Sequence, residues 1–108
     1  MRNTIRVVNI RTYSGPKGEL IMRGSPLGNG NHLFREADRL KVIKQFKQDL
    51  WKKIKAKDPK ICGELRRLVK LWKDTGHINL VCCCKPKPCH GDVVKDCLIW
   101  IIENNIKL

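Results

Sequence analysis

The chain has 108 residues, of which 42% are hydrophobic and 31% charged, and its 23 basic and 10 acidic residues give a formal net charge of +13. That length suits one domain over residues 1–108 with a modest core and no separate regulatory unit. The apolar fraction excludes wholesale disorder, and the charge favours polyanionic partners: nucleic acid, nucleotides or an anionic membrane surface.

Residues 5–10 are rich in β-branched side chains and read as a strand. The run is short and interrupted, with no small-residue cleavage site, so it does not read as a signal peptide. Residues 12–18 form a turn cluster punctuated by Gly15, Pro16 and Gly18. Residues 19–23 suit a second, short strand, and the two runs are expected to pair as a loose hairpin. Residues 24–31 hold three glycines, one proline and two asparagines. They read either as a surface connection or as a loop whose backbone N–H groups approach an anion closely.

A helix is expected over residues 36–57, where Leu40, Ile43, Phe46, Leu50 and Ile54 make one apolar stripe and Trp51 widens it. Asp58 and Pro59 suit the N-cap and first position of a second helix, 59–74, with Ile61, Leu65, Leu68, Leu71 and Trp72 inward and Gly76 as C-terminal cap. Residues 78–84 are nearly all apolar and read as a buried central strand. After the stiff turn at 85–88, a final helix is expected over 91–104. The order β-β-α-α-β-α implies a small α/β fold, a Rossmann-like three-stranded sheet flanked by helices. The longest apolar stretches, 80–84 and 97–102, fall far short of the ~20 residues of a membrane span. A soluble, cytoplasmic protein is the expectation.

The six cysteines are Cys62, Cys82, Cys83, Cys84, Cys89 and Cys97. Three are consecutive and no secretion signal precedes them, so free thiols are expected rather than a disulfide scaffold. The segment from Cys82 to Asp92 joins the end of the buried strand to the start of the last helix, the edge at which open α/β sheets collect ligands. The helix N-terminus adds exposed N–H groups and a partial positive charge, which favour an anion beside Lys85 and Lys87. Three uses compete for this segment. Cys82, Cys84, Cys89 and His90 could bind zinc, although adjacent Cys89 and His90 strain to meet one ion. Cys89 could be a nucleophile or ligand contact with its pKa lowered at the helix N-terminus, beside His90 and Asp92 as acid/base groups. Or the thiols are packing residues, the favoured reading for Cys62, Cys83 and Cys97.

Thirteen basic and three acidic residues lie between Arg39 and Lys73, with ten lysines among the thirteen. Base-specific readout leans on arginine forks, so the excess suits non-specific attraction to phosphate rather than sequence-specific binding.

Three separated motifs carry a resemblance: Val7-Val8-Asn9; Arg23-Gly24-Ser25-Pro26-Leu27-Gly28-Asn29; and Cys82 to Cys84 running through Pro86 to Cys89-His90-Gly91-Asp92-Val93. With them the chain resembles the Domain of Unknown Function 4326 family of bacteria and phages over nearly its whole length. It departs at Gly30-Asn31-His32, where the family usually continues with Pro-Phe, and at Cys83, where a large residue is common. The resemblance supplies no activity. It implies a compact domain with its motif residues on loops beside the sheet edge, in a layout like the nucleotide-binding sites of small Rossmann-like proteins.

The leading expectation is a domain that binds a nucleotide or another phosphorylated small molecule, as a hydrolase, a transferase or a phage-type sequestering antagonist. Its surface would combine Asn9 and Arg11, then Arg23, Gly24, Ser25, Gly28 and Asn29, then Cys84, Lys85 and Gly91, with Cys89, His90 and Asp92 as candidate catalytic groups. No cofactor is implied unless zinc occupies the cysteine cluster. The alternatives are a basic nucleic-acid-binding protein with a structural zinc site and an inhibitor whose lysine-rich helices dock on an acidic protein.

Overall fold

A computed structural model of the chain describes residues 4–15, 18–21, 27, 36–82 and 89–108. Its elements are β1 (Ile5–Asn9), β2 (Glu19–Leu20), a 3-10 turn at Glu36–Asp38, α1 (Arg39–Lys55), α2 (Pro59–Thr75), β3 (Ile78–Cys82) and α3 (His90–Glu103). The order is the one expected from sequence. The strand pairing is not.

β1 and β2 both pair parallel with β3, in the order β1-β3-β2. Ile5 faces Ile78 and Asn9 faces Cys82, while β2 meets β3 only at Glu19–Leu80 and Leu20–Val81. The Rossmann-like three-stranded sheet is therefore corrected to one parallel pair of five-residue strands, with a two-residue stub on the far side of β3. The expected β1–β2 hairpin is absent because β3 lies between them. β3 is the most apolar strand, and the middle of the sheet is where such a strand loses most contact with water. Gly18 crosses the outer face of β3, where a Cβ would clash with Val81 Cγ2 and meet the Asn79 carbonyl at 2.8 Å. The small α/β character of the chain stands.

The alternation of β1 and β3 puts Ile5, Val7, Ile78, Leu80 and Cys82 on one face. α3 packs against β1 and β3, α2 against β3, and α1 against both helices. Between them lies a core that includes Leu65, Leu68, Leu80, Val94 and Leu98, all at 0% exposure. Asp58 caps α2 by accepting from the Lys60 and Ile61 N–H groups at 3.0 and 3.2 Å, with Pro59 in the first turn. Gly76 closes α2 at φ 81°, a conformation that favours glycine. In α1, Phe46 and Leu50 are buried, and Trp51 meets Trp100 edge-on at 4.8 Å. Leu40, expected inward, is 69% exposed. It lies in the first turn of α1, away from the Phe46–Leu50 line.

Polar ties hold outlying parts to α2, among them Arg66 Nη1, which donates to the Leu108 carbonyl at 2.9 Å. Trp72 Nε1 donates to Thr4 Oγ1 at 2.9 Å, and Arg67 donates to Glu64 and Glu19, both at 2.6 Å, which fastens β2 to the helix. These carboxylates raise the Arg67 pKa, Glu64 above all. Among the described residues, no helix is long and apolar enough to cross a membrane.

Candidate ligand site at the carboxyl edge of the sheet

Because all the strands are parallel, their carboxyl ends meet at one edge. Two hydrogen bonds prolong the ladders there. Ile10 N–H donates to the Cys82 carbonyl at 2.8 Å, and Ile21 N–H donates to the Val81 carbonyl at 3.1 Å. Beyond β1 the chain turns on Asn9. Its carbonyl accepts from the Thr12 and Tyr13 N–H groups at 3.2 and 2.9 Å, and its Oδ1 accepts from the Arg11 N–H at 2.8 Å. This turn leaves Ile10 45% exposed, beside the exposed Arg11.

The N-terminus of α3 comes to the same edge. Cys89 is its N-cap and is buried, and its Sγ lies 3.2 Å from Cys82 Sγ. The Cys89 N–H donates to Asp92 Oδ2 at 3.3 Å, and the Asp92 N–H donates to the Cys89 carbonyl at 3.1 Å, so the first turn is closed on itself. His90 is only 8% exposed. Its Nε2 donates to the Ile21 carbonyl at 2.5 Å, and since a carbonyl only accepts, that nitrogen carries the proton. Phe46 stands edge-on to the imidazole, ring centroids 5.0 Å apart. At Gly91 an added Cβ would meet Val7 Cγ1 at 2.7 Å and Ile21 Cδ1 at 2.9 Å. Gly91 thus lets α3 approach β1 and the end of β2.

The helix N-terminus alone would lower the pKa of Cys89. Its surroundings do the opposite. Hydrogen bonding with Cys82 raises it most, then burial, then the charge of Cys82, with a smaller push from Asp92, while the Gly91 N–H opposes them. The thiol stays protonated at neutral pH. Cys97, deep on α3, is pushed up to about 12 by burial and by Cys62.

Of the expected site residues, Asn9, Arg11, Cys89, His90, Gly91 and Asp92 come together at this edge. Arg23, Gly24, Ser25, Gly28, Asn29, Cys84 and Lys85 lie outside the described residues. Of the four expected zinc ligands, Cys82 and Cys89 meet, His90 gives its Nε2 to Ile21, and Cys84 is outside the described set. Among the described residues, no group of three or more His, Cys, Asp or Glu could hold a metal ion. The partners of His90 were not legible in the sequence. The Ile21 carbonyl is main chain, and Phe46 reads as ordinary core. Neither a pattern nor a spacing marks them.

A family model described as "Domain of unknown function (DUF4326)" matches residues 8–100. The chain belongs to this family. It is also similar to the "Uncharacterized 12.4 kDa protein in nrdA-td intergenic region" of Enterobacteria phage T4, 38% identical over 66 residues. That match covers 60% of this chain and 54% of the phage protein, about half of the relative's length. No solved structure matches the chain. The carboxyl edge, from Asn9 through Asp92, falls inside the DUF4326 match.

Proposed function

We propose that this DUF4326 domain binds a nucleotide or another phosphorylated small molecule across the carboxyl edge of its sheet. The observation that carries the reading is the convergence of the parallel strand ends, the exposed Ile10–Arg11 pair and the N-terminal turn of α3 at one edge. Ligands of open α/β sheets bind in that position. Arg11 supplies a fixed charge and a planar donor fork for phosphate, Ile10 an apolar surface for a base, and α3 the positive end of its dipole. The net charge of +13 draws anions to the whole domain.

The reading is of a binder rather than a catalyst. Each candidate catalytic group already holds the fold in place: Cys89 against Cys82, His90 on the Ile21 carbonyl, Asp92 on the Cys89 N–H. A protonated buried thiol is a poor nucleophile, and an imidazole fixed to main chain is a poor proton shuttle. Sequestration of a phosphorylated ligand needs neither.

A thermal-shift screen of mononucleotides and sugar phosphates tests the proposal. At least one should raise the melting temperature, and Arg11→Ala should weaken its binding by about tenfold, the loss of one charge-assisted contact. If no phosphorylated compound shifts the wild-type protein, or if Arg11→Ala binds as tightly as wild type, the edge is not the site.

A further inference from the structure

We propose that the outer face of α1 is a docking track for the phosphodiester backbone of a nucleic acid, separate from the sheet edge. Lys41, Lys44, Lys52 and Lys55 are spaced three and four residues apart through Gln48, and all five side chains are exposed. At 100° per residue they fall within one narrow stripe, opposite Phe46 and Leu50, which face the core. The stripe is about 21 Å long at 1.5 Å per residue, the run of about six phosphates along one strand of a duplex. It presents amines and one amide, and the exposed Leu40 lies at its margin rather than inside it. That composition suits a uniform polyanion better than a protein partner, whose interfaces rest on aromatic and apolar anchors.

Solvated lysines are common on amphipathic helices, but two observations set this face apart. First, its charges are uncompensated. The sole acidic residue within α1, Asp49, accepts from Gln45 Nε2 at 2.9 Å. Among the described residues none of the four lysines has an ion-pair partner. Like charges three or four apart on a helix repel. Second, part of the charge sits at the wrong end. Lysines in the last turn, including Lys52 and Lys55, suit the negative end of the helix dipole. Lys41 stands in the first turn, which holds no acidic residue, and so opposes the dipole. The first turn of α2 likewise carries Lys60, and the N-terminal carboxylate of each helix is its N-cap, Asp38 or Asp58. Helix stability would favour carboxylates at these positions. The amine of Lys41 in the first turn of α1 suits a polyanion-binding face instead.

The test is fluorescence anisotropy of a short labelled duplex of mixed sequence, titrated with the full chain at several salt concentrations. Affinity should fall steeply with salt and be indifferent to sequence. With Lys41, Lys44, Lys52 and Lys55 all changed to Gln, affinity at low salt should drop at least tenfold, and the slope of log K against log salt should fall by about 3–4. The melting temperature should stay close to the wild-type value, since the lost dipole contacts of Lys52 and Lys55 and the relieved repulsion are both small. The matching four Lys→Arg changes should retain binding, which separates loss of charge from loss of fold. Duplex binding undiminished in the Gln variant would overturn the proposal. So would wild-type protein that prefers polyglutamate to the duplex, the behaviour of a surface made for an acidic protein. Arg11→Ala should leave duplex binding intact, so failure of the track and failure of the sheet-edge site are separate results.

Discussion

The carboxyl edge of the sheet and the outer face of α1 hold the two conspicuous chemical features of the chain, and the fold treats them in opposite ways. At the edge, cysteine, histidine and aspartate are brought together and engaged: Sγ to Sγ, imidazole to carbonyl, carboxylate to N–H. On α1 the lysines are exposed and, among the described residues, without an ion-pair partner, and Lys41 opposes its own helix dipole. Residue types that suggest catalysis thus serve the framework, while residues that read as solvated surface are left available. The neighbouring pair Ile10 and Arg11 remains exposed at the same edge, and in the proposed site it is the part that would meet the ligand.

Perturbing the edge should cost stability, and perturbing α1 should not. The largest effect is expected for His90→Ala. It strands the buried Ile21 carbonyl and opens space beside Phe46, for about 2–4 kcal/mol, a fall of very roughly 10–20 °C in melting temperature by calorimetry. If instead the variant melts like wild type, His90 is not holding the end of β2. Next comes Gly91→Ala, whose Cβ presses on Val7 and Ile21. Overpacking of this kind should cost about 1–3 kcal/mol in denaturant unfolding with an unchanged m value.

Alkaline pH probes the buried thiols. The Cys97 pKa rises from an ordinary 9.0 to about 12, and Cys89 is raised as well. Between those limits the unfolded chain loses protons that the folded chain keeps, so stability is complete below about pH 8.5 and declines as pH rises. The decline approaches about 1.4 kcal/mol per pH unit for each such thiol. Melting temperatures across this range check the sign, and Cys97→Ala should flatten the curve. The smallest effect has the opposite direction. Lys41→Glu should stabilise by about 0.3–1 kcal/mol at low salt by matching the α1 dipole, and a melting curve at two salt concentrations should show the gain fade as salt is added.

Much of this was legible in the sequence because it is local. The stripe of Phe46 and Leu50, the Asp58-Pro59 cap, Gly76 and the apolar run of β3 each announce an element within a few residues. What was not legible is non-local. Whether β1 pairs with β2 or β3 depends on which strand takes the centre, and a two-residue strand carries no pattern of its own. The same holds at the site. A cysteine at a helix N-terminus reads as reactive until the strand brings Cys82 against it. His90 reads as an acid/base group or a zinc ligand until Ile21 and Phe46 enclose it. Arg11, by contrast, lies just beyond the last residue of β1, and its place followed directly from that strand.

Native mass spectrometry with a panel of nucleotides, run on the wild-type chain and Arg11→Ala in parallel, tests the central claim most directly. A one-to-one complex with at least one phosphorylated ligand is expected, strongly reduced by the substitution at unchanged fold. A wild-type chain that stays bare against every nucleotide, or a complex indifferent to Arg11, would contradict it.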